Sequence, residues 1–310
     1  MLTAPIDVLH QFPIRKTKAQ KQAFRDAVAS YTKYLGYECT VEKGSLGVRN
    51  LVIGNPETAN YLVTAHYDTC ARLLWPNMVA PCNALVFWAY QIFQILILVL
   101  ATFLIGVIFC LITGREISST GVLIIYWLLL LTMLFGPANK NNANDNTSGV
   151  VTVLEIARTL PESQRSKVCF VLFDLEEAGL LGSAAYRTAH KKETNNQIVL
   201  NLDCVGDGDH ILLMPTKKLK KYTAKLAPLY TACGYFGKKS ILVKDKGFCI
   251  YPSDQSNFPY GVGIGAFSIK KGIGHYYSRI HTPKDTILDQ TNVNILRAAI
   301  TSLICGNAAQ

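Results

Sequence analysis

Apolar residues gather in short runs bounded by Gly, Asn and Pro, and between these runs they recur at helical spacing. Residues 38 to 43, 47 to 53 and 60 to 66 read as strands, separated by Gly44 and by Asn55-Pro56. KVCFVLFD at 167 to 174 and QIVLNLD at 197 to 203 stay apolar up to a terminal acid, the sign of strands buried on both faces. Residues 210 to 214, 240 to 244 and 262 to 269 read as further strands. Phe24, Val28, Tyr31 and Leu35 fall on one helix face, which predicts a helix over 17 to 35 ended by Gly36. Helices are also predicted over 147 to 160, 179 to 191, 216 to 233 and 291 to 305. Strand and helix alternate, so the fold class is α/β, with a central, mostly parallel (mixed) β-sheet flanked by helices.

One block breaks this pattern. No charged residue occurs between Arg72 and Arg115, nor between Glu116 and Lys140. Residues 84 to 112 are apolar for longer than the roughly 20 residues a bilayer span requires, whereas residues 121 to 136 are only marginally long enough. With the polar turn TGREISST between them, they predict a two-helix transmembrane hairpin, residues 84–136, inserted into a discontinuous α/β domain of residues 1–72 and 137–310. The opening MLTAPIDVLHQFPIRK has no apolar core of a signal peptide. The net charge is +10, and Arg15, Lys16, Lys18, Lys21 and Arg25 precede the block while Lys140 follows it, against one Arg in the turn. That bias places the α/β domain on the cytoplasmic side of a membrane. Lipid contact by the basic helix 17 to 35 would be secondary to a solvated face. No aromatic-basic motif of a nucleic-acid fold appears. The nine cysteines are scattered without a CxxC pair, which suits a reducing compartment; Cys70 and Cys204 read as small buried hydrophobes.

The polar residues that end the buried strands change the picture further. YLVTAHYDT ends on His66 and Asp68, CFVLFDLEE on Glu176 and Glu177, and VLNLD on Asp203. Ligands of open α/β sheets bind outside the carboxyl ends of strands. NDNTSG adds Asp145 at the start of a helix that Thr147 or Ser148 could cap, and RIHTPKDT adds His281. Imidazoles and carboxylates without thiolate suit zinc, or another divalent ion such as Mn2+ or Co2+. His66 and Asp68 point the same way on an extended chain, so one can ligate while the other takes a second-shell position. Of the adjacent Glu176 and Glu177, one can bind metal while its neighbour stands off as a base. Asp145 is a candidate bridge between two ions.

The order HYD, DNTSG, DLEEAGLLGS, NLD, SDQSNF and IHTPKDT resembles the di-zinc aminopeptidases of the M28 family, which also holds glutamate-carboxypeptidase-like enzymes and glutaminyl cyclases. The resemblance covers nearly the whole chain outside residues 73 to 138, and it implies a single zinc-exopeptidase-like domain. It implies two Zn2+ ions, one held by His66, Asp145 and Asp203 and the other by Asp145, Glu177 and His281. Glu176 would be the general base toward the water shared by the ions, and Asp68 would orient His66. Asp254 resembles an acid near the site, although its neighbour Gln255 stands where relatives often have His. Asp285 would fix the loop that carries His281.

The implied activity is hydrolysis of N-terminal peptide bonds by a membrane-anchored metallo-aminopeptidase. Its partners would be a peptide with a free N-terminus and, through residues 84–136, the lipid bilayer. The alternatives are a glutaminyl-cyclase-like enzyme with one zinc and a non-catalytic membrane binding module of the same fold. His10, His190, His210 and His275 read as ordinary surface or loop residues, and Tyr276 and Tyr277 as core or pocket wall.

Overall fold

The computed structural model describes residues 2–73, 75 and 77–306. In chain order the elements are α1 (Asp7–Gln11), α2 (Lys18–Tyr34), β1 (Cys39–Lys43), β2 (Arg49–Ile53), β3 (Tyr61–His66), α3 (Ala84–Thr113) and α4 (Ser119–Phe135). There follow α5 (Gly149–Thr159), β4 (Val168–Phe173), α6 (Leu181–Ala189), α7 (Lys191–Thr194), β5 (Ile198–Leu202), β6 (His210–Pro215), α8 (Lys217–Lys220) and α9 (Thr223–Tyr230). The chain closes with β7 (Gly234–Phe236), β8 (Lys239–Val243), β9 (Gly261–Lys270), β10 (Gly274–Tyr276) and α10 (Gln290–Cys305). The sequence pattern predicts neither α1, β7 nor β10, since three to five residues are too few to show a period. The helix expected over 216 to 233 is two, α8 and α9, and the one over 179 to 191 gives way to α7 at His190.

The strands form one mixed sheet in the order β1-β2-β4-β3-β5-β9-β6-β8-β7, with β10 beside β9. Its centre, β4-β3-β5-β9, is parallel, and antiparallel pairs lie toward the margins. Strand β4 shows why its sequence is continuously apolar. Val168, Phe170 and Leu172 join the large core beneath α2, α5 and α10, while Cys169, Val171 and Phe173 join a second core with Tyr186 and Phe258 on the other face. α2 begins on a Thr17–Gln20 capping box and buries Phe24 and Val28 completely. Each such side chain stabilises the fold by roughly 1.5–3 kcal/mol. Phe24 also stacks on Tyr67 at 5.1 Å, just past the end of β3.

Not all of the basic residues ahead of the apolar block face solvent. Arg15, Lys21 and Arg25 are buried, Lys21 against Asp174 at 2.7 Å and Arg25 against the Tyr67 hydroxyl at 2.7 Å. They therefore contribute less to a membrane-facing charge bias than a count of basic residues suggests.

α3 and α4 pack against each other and leave most of their apolar side chains on the outside: Leu85, Phe103, Leu111 and Phe135 are all exposed. By length and composition α3, at 30 residues, is long enough to cross a membrane. α4 has 17 residues, about 25 Å of helix, short of a hydrocarbon core of about 30 Å. One membrane-capable helix therefore stands where two were expected. α3 starts on Asn83, whose side chain accepts the Val86 amide and donates to the Ile273 carbonyl, and it stops at Gly114, whose φ of 66° closes the helix. Lys16 donates to the Leu134 carbonyl at 2.6 Å and so meets one of the open carbonyls at the end of α4.

Candidate metal centre

The parallel register brings the first group of acids and imidazoles together. His66 pairs with Phe173 across β3 and β4, and Thr64 pairs with Asn201 across β3 and β5. Asp68, Glu176, Glu177 and Asp203 therefore leave neighbouring strands at one edge. Backbone turns then aim them. Leu175 and Cys204, beside the acids, and His281 itself adopt left-handed φ values of 55°, 55° and 59°. Only five non-glycine residues among those described have positive φ, so this strain is concentrated at the site.

Asp145 comes from the other side, on the NDNTSG turn, and a dense set of hydrogen bonds holds that turn. Asn146 accepts the amides of Gly149 and Cys204 and donates to the Leu202 carbonyl at 2.8 Å. Asn144 accepts the Gly206 amide at 2.7 Å, and Ser148 accepts the Val205 amide. The turn is thus tied directly to the residues that carry Asp203. Gly149 is required there because a Cβ would lie 2.4 Å from both the Leu202 carbonyl oxygen and Asn146 Oδ1. Neither Thr147 nor Ser148 caps α5, which begins at Gly149: Ser148 Oγ donates back to the Asn144 carbonyl, and Thr147 Oγ accepts from Arg15.

The two oxygens of Asp145 face different partners. Oδ1 lies 3.2 Å from His66 Nε2, which is also 3.7 Å from Asp203 Oδ1. Oδ2 lies 2.9 Å from His281 Nε2, which is also 3.3 Å from Glu177 Oε2. Donor atoms of His66, Asp145 and Asp203 lie within 4.8 Å of one another, as do those of His66, Glu176 and Glu177 and those of Cys70, Glu177 and His281. Cys70 thus borders the second group, a position its sequence context does not reveal. Burial pushes the Cys70 and Cys204 thiols well up.

Asp68 is placed somewhat differently from the expectation. The contact nearest to His66 Nδ1 is the main-chain carbonyl of Asp68 at 3.2 Å, and the carboxylate is 3.5 Å away. The carboxylate instead accepts the amides of Glu176 at 3.1 Å and Glu177 at 3.3 Å. Asp285, expected to hold the His281 loop, accepts the amides of Asn144 at 2.7 Å and Asp145 at 3.0 Å, and so steadies the Asp145 turn. Burial pushes its carboxyl up to about 8. Asp254 is fully buried and neither carboxylate oxygen has a hydrogen-bond partner among the described residues; burial pushes it up to about 7. Gln255 is a packing residue that accepts from Asn201 and donates to the Tyr251 carbonyl.

Arg15, in the sequence one member of a basic flank, is fully buried behind the site. It donates to the carbonyls of Tyr67 and Phe12 and to Thr147 Oγ. Burial lowers its pKa to about 10 against the opposing pull of Asp68 and Asp145, so it remains a cation under the acids. His10, His190, His210 and His275 do not line the site cavity; His190 pairs with Glu42 at 3.0 Å and His210 with Ser240 at 3.0 Å. Tyr277 lines it and Tyr276 does not.

The charge balance tests whether a cation fits. Asp68, Asp145, Glu176, Glu177 and Asp203 surround two imidazoles. Burial pushes Glu176 and Glu177 well above the carboxylate range, and the neighbouring acids add to the effect for both. Burial lowers the pKa of His66, but the charge of Glu176 and the contacts with Asp145, Asp203 and Asp68 outweigh it and hold the ring well above its usual value. Glu177 Oε1 is buried without a hydrogen-bond partner among the described residues. An excess of buried carboxylate with an orphaned oxygen is a site a divalent cation satisfies, and mixed imidazole and carboxylate donors suit zinc.

A profile of peptidase family M28 matches residues 131–303, more than half of the chain. The chain belongs to peptidase family M28. Aminopeptidase YwaD of Bacillus subtilis is 42% identical over 67 residues, a match that covers 21% of this chain and 15% of that protein. The M28 chain therefore aligns with only a small part of its curated relative. Its fold is similar to that of the LapA aminopeptidase of Legionella pneumophila, with a TM-score of 0.58 and 13% identity over 99% of this chain and 69% of that one. A Zn-dependent exopeptidase from Parabacteroides distasonis gives 0.57 and 16% over 95% and 93% of the two chains. The glutaminyl cyclase of Tannerella forsythia gives 0.55 and 17% over 96% and 95%. The zinc-exopeptidase-like architecture expected from the motif order is thus the observed one, and zinc binding fits the family.

Proposed function

We propose that this M28 chain is a membrane-anchored di-zinc exopeptidase that removes N-terminal residues from peptides. The observation that carries this reading is the division of Asp145, one oxygen toward His66 and Asp203 and the other toward His281 and Glu177. On this reading His66, Asp145 and Asp203 hold one ion, and Asp145, Glu177 and His281 hold the other. When bound, the ions supply Lewis acidity toward the scissile carbonyl and a water acidic enough to lose its proton near neutral pH. Glu176 takes that proton and delivers it to the leaving amine. Asp68 positions it by holding the amides of Glu176 and Glu177, and its carbonyl fixes the tautomer of His66.

A panel of leucine anilide, a leucyl tripeptide and a peptide with N-terminal Gln tests the activity. Hydrolysis of the first two is expected, with full loss after chelation and recovery on adding zinc. Release of ammonia and a pyroglutamyl product from the third, without hydrolysis of the others, would support the cyclase reading favoured by the likeness to the Tannerella enzyme. Failure to turn over any of them would leave the non-catalytic module.

The proposed anchor is the apolar pair α3 and α4, with residues 1–72 and 137–310 as the catalytic part. Lys16, Lys18 and Lys140 near the outer ends of these helices, against Arg115 in the turn, support a cytoplasmic catalytic side. Replacing residues 80–136 by a short linker is expected to move the protein from the membrane pellet to the supernatant. In sealed vesicles with the cytoplasmic face outward, added protease should reach the catalytic part of the intact protein. A truncated protein that still pellets, or a protected catalytic part, would reject the anchor or its orientation respectively.

A further inference from the structure

The catalytic cavity has an unusual roof. Besides His66, Asp145, Glu176 and Glu177, its lining includes Phe87, Gln91 and Gln94 from α3 and Met133 and Leu134 from the end of α4. Its volume is about 320 Å³, near the lower end of small-ligand pockets, about 300–1,000 Å³. Phe87, Gln91 and Gln94 follow at intervals of four and three, so they share one face of the helix. The outer face of the same turns carries Trp88, Ile92 and Ile95, all exposed. The first turns of the membrane-capable helix thus present grease to the outside and two carboxamides to the site.

Packing does not explain those carboxamides. A polar group on an apolar helix costs free energy unless it is hydrogen-bonded. Gln94 hydrogen-bonds the Tyr90 side chain. Gln91 is half-buried and has no hydrogen-bond partner among the described residues. A carboxamide offers a donor side and an acceptor side, and so can meet both the carbonyl and the N–H of a peptide group. The scissile peptide group belongs at the acids and imidazoles of the floor, so a group meeting the roof belongs to the next peptide unit along the substrate. Leu73, Phe87, Met133 and Leu134 supply apolar wall beside it.

Resting on the exopeptidase reading, we propose that Gln91 is a specificity-determining residue: it hydrogen-bonds the peptide group that follows the bond to be cut. The substrates selected are peptides of at least three residues with apolar side chains at the N-terminal end. Single aminoacyl amides lack the group that Gln91 recognises.

Binding to zinc-loaded, full-length Glu176→Gln protein in detergent tests this without turnover. Trileucine and leucinamide are titrated by calorimetry before and after adding Gln91→Met, which keeps side-chain length and helix propensity; Gln91→Leu serves as the second variant. Each is expected to weaken trileucine by about 3- to 10-fold, the worth of one hydrogen bond, and to leave leucinamide within twofold. Equal losses for both ligands, no loss for either, or no trileucine binding before the substitution would overturn the inference. The exopeptidase reading stands or falls on turnover by the wild-type protein, a separate sample, so the two failures are distinguishable.

Discussion

Replacing Glu176 by Gln is expected to lower kcat by about 10²–10⁴-fold while the bound zinc stays at the wild-type level. The substitution preserves size and the backbone amide that Asp68 holds, but a carboxamide cannot take up a proton. Glu176 lies near His66 and Glu177, outside the four imidazole–carboxylate contacts, two made by Asp145 and one each by Asp203 and Glu177. It is therefore the acid whose loss should separate chemistry from metal binding. Steady-state kinetics on a leucyl tripeptide, with zinc measured on the same sample, checks both halves. A kcat within a few-fold of wild type would remove Glu176 from the role of base, and a parallel loss of zinc would make it a ligand.

The Asp145→Ala substitution is expected to be at least as damaging, for a different reason. Both imidazoles of the cluster meet this one carboxylate, which they hold well below the usual carboxylate range in spite of its burial. Removing it takes a ligand from each half of the site at once, so zinc should fall below one per chain and activity to background. The fold itself should persist. The turn is held by the amides of Asn144 and Asp145 on Asp285 and by the side chains of Asn144 and Asn146, none of which the substitution removes. The thermal midpoint should accordingly lie only modestly below that of wild-type protein stripped by a chelator, which lacks the stabilisation by bound ions but keeps the contacts of Asp145 with His66 and His281. A midpoint far below the stripped protein would mean that Asp145 serves the fold first.

Much of this site can be read along the chain because strand ends are visible as the points where apolar runs meet an acid or a histidine. KVCFVLFD needs both faces of a sheet covered, and its end must then lie beside the ends of its parallel neighbours. What a linear reading misses depends on folding back. Arg15 looks like one more charge ahead of an apolar block, and only the packing of α1 and the segment after it against the NDNTSG turn brings it under the acids. Asp285 is four residues from His281, which suggests a local role, yet its partners are about 140 residues away. The limits of α4 were marginal in the sequence and remain so in the fold, where its 17 residues fall short of a full span. Gln91 and Gln94 interrupt an apolar run, a signal that becomes a site only when α3 is seen over the cavity.

Zinc content per chain of the full-length wild-type protein, purified in detergent without added chelator and measured by mass spectrometry, is the most direct test of the paired centre. Two ions per chain, falling below one in Asp145→Ala, is the result predicted here. One ion or none in the wild type would contradict it.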